Sequence, residues 1–176
     1  MPGLAIPVPY QWQVGDTGNA ALLNAQLFNG LTFLLNPPLA VYAQSASQTF
    51  TTGGSAVALT WGTPTADTYG GYNAANPTRY TAQVPGWYQI TVGVSVGANA
   101  TGNRDIEIHK NGVTTAIAQN VGAAPTTTNN YAGDASGLVY LNGVTDYVEG
   151  CFFQSSGASL STIITATYLN ALWIHT

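Results

Sequence analysis

Gly86-Trp87-Tyr88-Gln89-Ile90-Thr91-Val92-Gly93-Val94-Ser95-Val96 is the stretch whose reading decides the fold. Tyr88, Ile90, Val92, Val94 and Val96 alternate with Gln89, Thr91, Gly93 and Ser95, and a period of two sends alternate side chains to opposite faces of a strand. One face is apolar and belongs to a core. Downstream, Ile106 and Ile108 alternate with Asp105, Glu107 and His109 before Lys110-Asn111-Gly112-Val113, where Asn-Gly favours a type I′ turn and predicts a hairpin. Further strands are expected near Gln48–Thr51, Ala56–Trp61, Arg79–Val84, Gly137–Leu141, Tyr147–Gln154 and Ile163–His175. Turn pairs such as Gly53-Gly54, Gly70-Gly71, Asn76-Pro77 and Asn142-Gly143 punctuate them. Many short strands without intervening helices predict an all-β jelly-roll sandwich over residues 45–176.

Upstream the period changes. Residues 1–15 hold Pro2, Pro7 and Pro9 with Tyr10 and Trp12 behind them, a composition that cannot complete a ladder or a helix and predicts an extended arm. Asp16 or Thr17 offers an N-cap, and Leu23, Leu27, Leu31 and Leu34 then recur on one helical face. Asn36-Pro37-Pro38 ends the helix, because the residue before a proline is pushed out of the helical region. One α-helix is therefore expected from Thr17 to about Leu35. It carries no charge, and Leu22, Phe28 and Phe33 widen its apolar surface beyond one stripe. Such a helix is buried on more than one side, either on its own domain or against another subunit or a larger assembly. Residues 1–44 are read as an anchoring segment.

Of 176 residues only 6% are charged, three basic and seven acidic, with a formal net charge of −4; mean hydropathy is +0.11. A chain without a basic patch has nothing to displace counterions from a phosphate backbone, so nucleic-acid binding is excluded as a function class. The same lack disfavours an anionic membrane, and the apolar run from Ala20 to Leu35 is broken by Asn24, Gln26 and Asn29. The first residues lack a basic n-region, so no secretory signal is expected. Cys151 is the only cysteine, which excludes an intrachain disulfide; it is read as a small buried thiol.

Asp105, Glu107 and His109 share one strand face, where a carboxylate pair beside an imidazole can serve acid–base work or hold a divalent cation. Alternation in any half-exposed strand places polar residues the same way, so neither a catalytic residue nor a metal or cofactor is assigned. No hydrolase, zinc-protease or nucleotide-binding motif occurs, and an enzyme is not expected.

Arg79-Tyr80-Thr81-Ala82-Gln83-Val84-Pro85-Gly86-Trp87-Tyr88-Gln89-Ile90, a long alternating strand and then Lys110-Asn111-Gly112 resemble the complement globular-head and tumour-necrosis-factor-like (TNF-like) jelly rolls. Tyr168-Leu169-Asn170-Ala171-Leu172-Trp173-Ile174 is similar to the terminal strand of that family, which lies centrally in the inner sheet. The glycine and aspartate of the family's late Leu-x-x-Gly-Asp-x-Val are separated here, in Leu141-Asn142-Gly143-Val144-Thr145-Asp146-Tyr147-Val148. The resemblance implies a homotrimer packed through aromatic side chains, with Tyr88, Tyr140, Tyr147, Phe153, Tyr168 and Trp173 as interface candidates; aromatic, uncharged surface suits an interface core.

Tyr10-x-Trp12, Val14-Gly15-Asp16, the Asn24-containing helix and Phe33-Leu34-Leu35-Asn36-Pro37-Pro38 resemble the leader of small virion proteins of actinobacterial phages, of the capsid decoration, head-fibre or minor tail type. That resemblance implies a non-enzymatic trimeric decoration protein on the capsid exterior, assembled in the host cytoplasm, with the major capsid protein as partner. Tyr10, Trp12, Leu23, Leu27, Phe28, Leu31 and Leu34 would be its anchoring residues. The alternative is a minor tail or tail-fibre module that binds host surface glycan through the loops at residues 62–78 and 120–131.

Overall fold

The computed structural model describes residues 5–112 and 114–176; Met1 to Leu4 and Val113, which belong to the expected arm and hairpin, lie outside the described residues. Twelve strands occur in the described residues: β1 (Leu39–Ala43), β2 (Thr49–Phe50), β3 (Val57–Ala58), β4 (Ala66–Asp67), β5 (Arg79–Thr81), β6 (Gly86–Val96), β7 (Asn103–Lys110), β8 (Ala118–Ala123), β9 (Tyr131–Leu141), β10 (Tyr147–Gln154), β11 (Leu160–Ser161) and β12 (Tyr168–His175). They form two sheets face to face. The first runs β4-β1-β12-β6-β9; the second runs β3-β10-β7-β8, with β5 also paired to β10, and β11 pairs β2 apart from both. The expected all-β jelly roll is the observed architecture.

The alternation in β6 works as expected. Tyr88, Ile90, Val92 and Val96 are fully buried and meet Ile106, Ile108, Val148 and Phe152 of the second sheet in one core. Tyr42, Tyr80 and Tyr88 form a chain of edge-on rings, with centroids 6.1 and 5.8 Å apart, a favoured geometry for aromatic pairs. The Tyr88 hydroxyl donates to the Val84 carbonyl at 2.7 Å. Burial raises the Tyr80 and Tyr42 hydroxyls well above their ordinary pKa, so both stay protonated. Arg104 is also fully buried. Its guanidinium donates to the carbonyls of Asn99, Thr101 and Asn103 at 2.9–3.0 Å, so it closes one end of the sandwich through hydrogen bonds to backbone.

The sandwich begins at Leu39, not at residue 45. β1 pairs β12 with Leu39 opposite Leu172 and Ala43 opposite Tyr168; its buried Ala40 gives the alternation too little contrast to be read. β8 occupies part of the expected loop at 120–131, and β9 starts at Tyr131, six residues before the expected Gly137. Asn111 and Gly112 have φ of 56° and 69°, as an Asn-Gly turn requires. They do not close a two-residue hairpin, because the β7–β8 ladder starts at Ile108 opposite Ala118.

Helix α1 (residues 20–35) consists of α-helical Ala20–Leu23, a π turn at Asn24–Phe28 and α-helical Asn29–Leu35. Its N-cap is Asn19, whose Oδ1 accepts from the Leu22 amide at 2.9 Å, in place of the expected Asp16 or Thr17. Asp16 instead accepts from the Gln13 amide and the Tyr10 hydroxyl, closing a turn in the arm.

Two outcomes follow. A Cβ on Gly150 would stand 2.8 Å from Val92 Cγ1 and 3.3 Å from Trp61, so Gly150→Ala overpacks the core and should cost about 1–3 kcal/mol in urea unfolding. An unchanged midpoint would contradict the packing. Burial alone would raise the Asp146 carboxyl, but hydrogen bonds from Lys110, Asn111 and the Asn142 amide, with the Lys110 charge, hold it below its ordinary pKa. Its stabilising contribution is therefore present above the unfolded carboxyl pKa of about 4 and is lost as pH falls through the lower folded value. Asp146→Asn should lose about 1–2 kcal/mol at pH 7, a deficit that thermal melts show shrinking below pH 4.

Candidate interaction surfaces and an acidic groove

Three surfaces differ from ordinary solvated exterior. The first is the outward face of the β4-β1-β12-β6-β9 sheet. Strand register aligns Leu39, Leu172, Gln89 and Leu138 in one row, Val41, Asn170, Thr91 and Ser136 in the next, and Ala43, Tyr168, Gly93 and Asp134 in a third. Beyond them Trp87 stacks edge-on against Tyr140 at 6.0 Å between centroids. Trp87, Leu138, Tyr140, Tyr168, Leu172 and Ile174 are all exposed. Asp134 is the only charged side chain among these rows. The Tyr168 ring lies over Gly93, where a Cβ would collide with it. Thr91 and Ser136 share a hydrogen bond of 3.0 Å, whereas the buried Asn170 Oδ1 has no partner.

Of the six residues expected at a trimer interface, Tyr140 and Tyr168 lie on this face. Tyr88 does not: its ring is wholly inside the core, because the same alternation that makes it core turns it from the outer surface. Trp173 also points to the core side. Its Nε1 donates to the Pro85 carbonyl at 3.1 Å, and Phe33 covers its ring at 5.0 Å. Tyr147 and Phe153 belong to β10 in the other sheet; Arg79 sits 4.0 Å over the Tyr147 ring. Trp87, Leu138 and Leu172 share this exposed face and were not among the candidates. The signal for Trp87 was present, as it is the neighbour of Tyr88 on the opposite face of the pleat.

The second surface is the arm with α1. Phe33 is buried between Trp173 and Tyr69 and fastens the end of the helix to its own sandwich. The Tyr10 amide donates to Gln26 Oε1 at 2.6 Å, so the arm lies along the helix. Between them runs an apolar groove lined by Pro7, Pro9, Leu27, Leu31, Leu34 and Trp173. Tyr10, Trp12, Leu23, Leu27, Phe28, Leu31 and Leu34 nevertheless stay exposed, Phe28 and Leu34 by 67% and 71%. The segment touches its own chain at one end and leaves most of its apolar side chains uncovered.

The third is a groove of about 510 Å³ on the outward face of β7 and β10, lined by Asp105, Glu107, His109, Glu149, Cys151 and Phe153 and rimmed by residues 54–56 and Gly112 and Thr114. Register sets His109 opposite Glu149 and Glu107 opposite Cys151. His109 Nε2 lies 2.5 Å from Glu107 Oε2, and its Nδ1 lies 3.6 Å from Cys151 Sγ. Glu149 accepts from Thr78 at 2.7 Å and pairs with Arg79 at 3.3 Å. Gln119 donates to Asp105 Oδ2 at 2.7 Å, while Asp105 Oδ1 has no partner. Burial raises the Asp105 carboxyl. Burial, with the charges of Glu149 and Glu107, pushes the Cys151 thiol up to about 12. Among the described residues, no group of three His, Cys, Asp or Glu side chains is placed to hold a metal ion.

The expected outer loops are partly structured. Asp67 accepts from the amides of Gly71 and Tyr72, and the Tyr72 ring packs on Tyr42, which removes Tyr72 from any ligand-facing role in the loop at 62–78. No helix among the described residues is long and apolar enough to cross a membrane.

No protein-family model matches the sequence, and no curated protein does. Solved structures do match. Murine APRIL at pH 8.5 superposes with a TM-score of 0.58 at 13% identity, covering 78% of this chain and 98% of that one; at pH 5.0 the TM-score is 0.57. Eiger TNF from S. frugiperda gives 0.57 at 9% identity, covering 78% and 92%. The chain shares the jelly-roll fold of these structures.

Because its thiol stays protonated, Cys151 should alkylate with iodoacetamide on the order of 10³-fold more slowly than a free cysteine at pH 7, the rate climbing with pH beyond 10. Reaction at the free-cysteine rate would contradict the groove's electrostatics.

Proposed function

We propose that this chain is a non-enzymatic structural protein of a virion, a homotrimer that decorates the capsid exterior and is anchored to the major capsid protein by its arm and α1. The observation that carries the reading is the coexistence of two uncovered apolar surfaces on a chain with so little charge. The outward face of the first sheet combines aromatic and aliphatic side chains with a single carboxylate, the composition of an interface core. The unpaired Asn170 Oδ1 gives a second copy an acceptor to satisfy, since buried polar atoms rarely stay without a partner. The expected homotrimer uses this face, with Trp87, Leu138 and Leu172 beside Tyr140 and Tyr168.

The arm and helix serve the second contact. Phe33 holds the helix on the sandwich while Leu23, Leu27, Leu31 and Leu34 stay exposed, the last three along the open groove beside the arm. Each large side chain buried against a shell contributes about 1.5–3 kcal/mol, and a trimer presents the contact three times, which multiplies attachment without covalent links. Ordering the arm opposes part of this gain.

Light scattering should give a particle of three times the 18.3 kDa chain. Leu138→Arg with Leu172→Asp should yield a folded monomer; a wild-type monomer would refute the trimer. In a second experiment the full chain is sedimented with empty shells assembled from the capsid protein of the same virion. Wild type should co-sediment, and Leu27→Asp with Leu31→Asp should lose at least tenfold in affinity while remaining trimeric. Equal binding by that variant overturns the anchor. A trimer that ignores shells and binds host cells through its outer loops establishes the tail-module alternative instead.

A further inference from the structure

Gly30 lies inside α1, half-buried on the wall of the apolar groove between the helix and the arm. Glycine is the poorest helix former after proline, so a glycine inside a helix needs a reason. Its own chain supplies none. The backbone there is ordinary helix without a positive φ, and a Cβ on Gly30 would meet nothing within 4 Å. The space left by the missing side chain is open, and it has a shape. Leu27, Gly30, Leu31 and Leu34 stand at i, i+3, i+4 and i+7, the four positions that form a hole for one incoming knob in helix packing, and all four line the groove. Glycine at one corner lowers that wall to the backbone and deepens the hole. Trp173, Pro7 and Pro9 complete the lining.

The chemistry of the lining selects the knob. No charged side chain belongs to it, and Gln26, its one polar side chain, already accepts the Tyr10 amide. Asp16, the one charged side chain of the arm, is taken by the Gln13 amide and the Tyr10 hydroxyl. An ionic partner surface finds no counterpart here. The groove has a volume of about 240 Å³, and an apolar cavity of about 150 Å³ already takes up benzene, so one aromatic ring fits.

We propose that the groove is a socket for one uncharged aromatic side chain of the major capsid protein, seated over Gly30 between the helix leucines and the arm. The proposal rests on the anchoring role given above to the arm and α1, and it adds a defined point of attachment. A merely greasy helix binds better with a larger apolar side chain at position 30. A socket is plugged by one.

The test separates these two cases. Full-length wild type, Gly30→Ala and Gly30→Leu are sedimented with empty shells assembled from the capsid protein of the same virion. Both substitutions improve helix propensity and Gly30→Leu adds apolar surface, so circular dichroism and the melting temperature should hold or rise. Shell affinity should nevertheless fall, measurably for Gly30→Ala and by at least about tenfold for Gly30→Leu. Should Gly30→Leu lose helicity, Gly30→Ala decides by the same criterion. In a second measurement without shells, indole titrated into the full chain should shift the Leu27, Leu31 and Leu34 methyl resonances saturably in wild type and leave them in place in Gly30→Leu. Shell binding by Gly30→Leu that equals or exceeds wild type overturns the socket and leaves the anchor standing; so does a wild type that binds shells but shows no indole shifts. Wild type that takes up indole yet ignores shells overturns the anchor and, with it, the assigned occupant. Dissociation of the trimer by Gly30→Leu would seat a second copy in the groove and overturns the proposal as well.

Discussion

The pleat of β6 is the constraint on which the rest depends. A strand can send Tyr88, Ile90 and Val92 into the core only by sending Trp87, Gln89, Thr91 and Gly93 to the opposite face, and β6 is an interior strand of its sheet, laddered to β12 on one side and β9 on the other. Once the core is filled from one side, the composition of the other side is fixed in space as a continuous surface. Its neighbours bring Leu172, Tyr168, Leu138 and Tyr140 to that surface by register alone. Core formation and the exposed aromatic face are therefore one structural event, and a residue cannot serve both. Tyr88, an interface candidate by resemblance, is turned away from that outer face by parity.

How much of this was legible follows from the contrast each segment offers. β6, β7 and β10 could be read because β-branched and aromatic side chains alternate there with polar ones or run together in a buried stretch. β1 could not, since Ala40 and Ala43 blur the period and two prolines just before it look like a boundary. The helix was legible from its leucines, but its cap was not, because Asp16, Thr17 and Asn19 all have capping chemistry and only the arm's own turn decides that Asp16 is engaged elsewhere. The π turn at Asn24–Phe28 leaves no mark in composition. In the groove, the shared face of Asp105, Glu107 and His109 was readable from alternation. The approach of Cys151 to His109 was not, because it depends on the register between strands some forty residues apart.

Scarcity of charge makes its placement informative. Asp16, Asp67 and Asp146 each accept backbone amides in turns, work that a carboxylate does well because charge-assisted hydrogen bonds are the strong ones. Arg104 does the converse for three carbonyls. These groups substitute for the solvent that a loop would otherwise need. Asp105, Glu107 and Glu149 have no such task in common. Three of the seven acidic side chains line one groove beside a thiol and an imidazole, at an electrostatic cost visible in the raised pKa of the Asp105 carboxyl and the Cys151 thiol.

The contact at Phe33 separates two roles that an apolar helix could have had. A helix packed for stability would bury its leucine stripe on the sandwich and expose its asparagines. Here a single aromatic side chain inserts beside Trp173 and Tyr69, and the stripe stays largely exposed along an open groove. Phe33 therefore sets where the helix starts from the domain without consuming the surface it presents. The arm, tied to the helix through Tyr10 and Gln26, extends that surface with Trp12. A monomer in water gains nothing from leaving so many leucines uncovered; an assembly that covers them recovers their burial while the jelly roll stays clear of the contact.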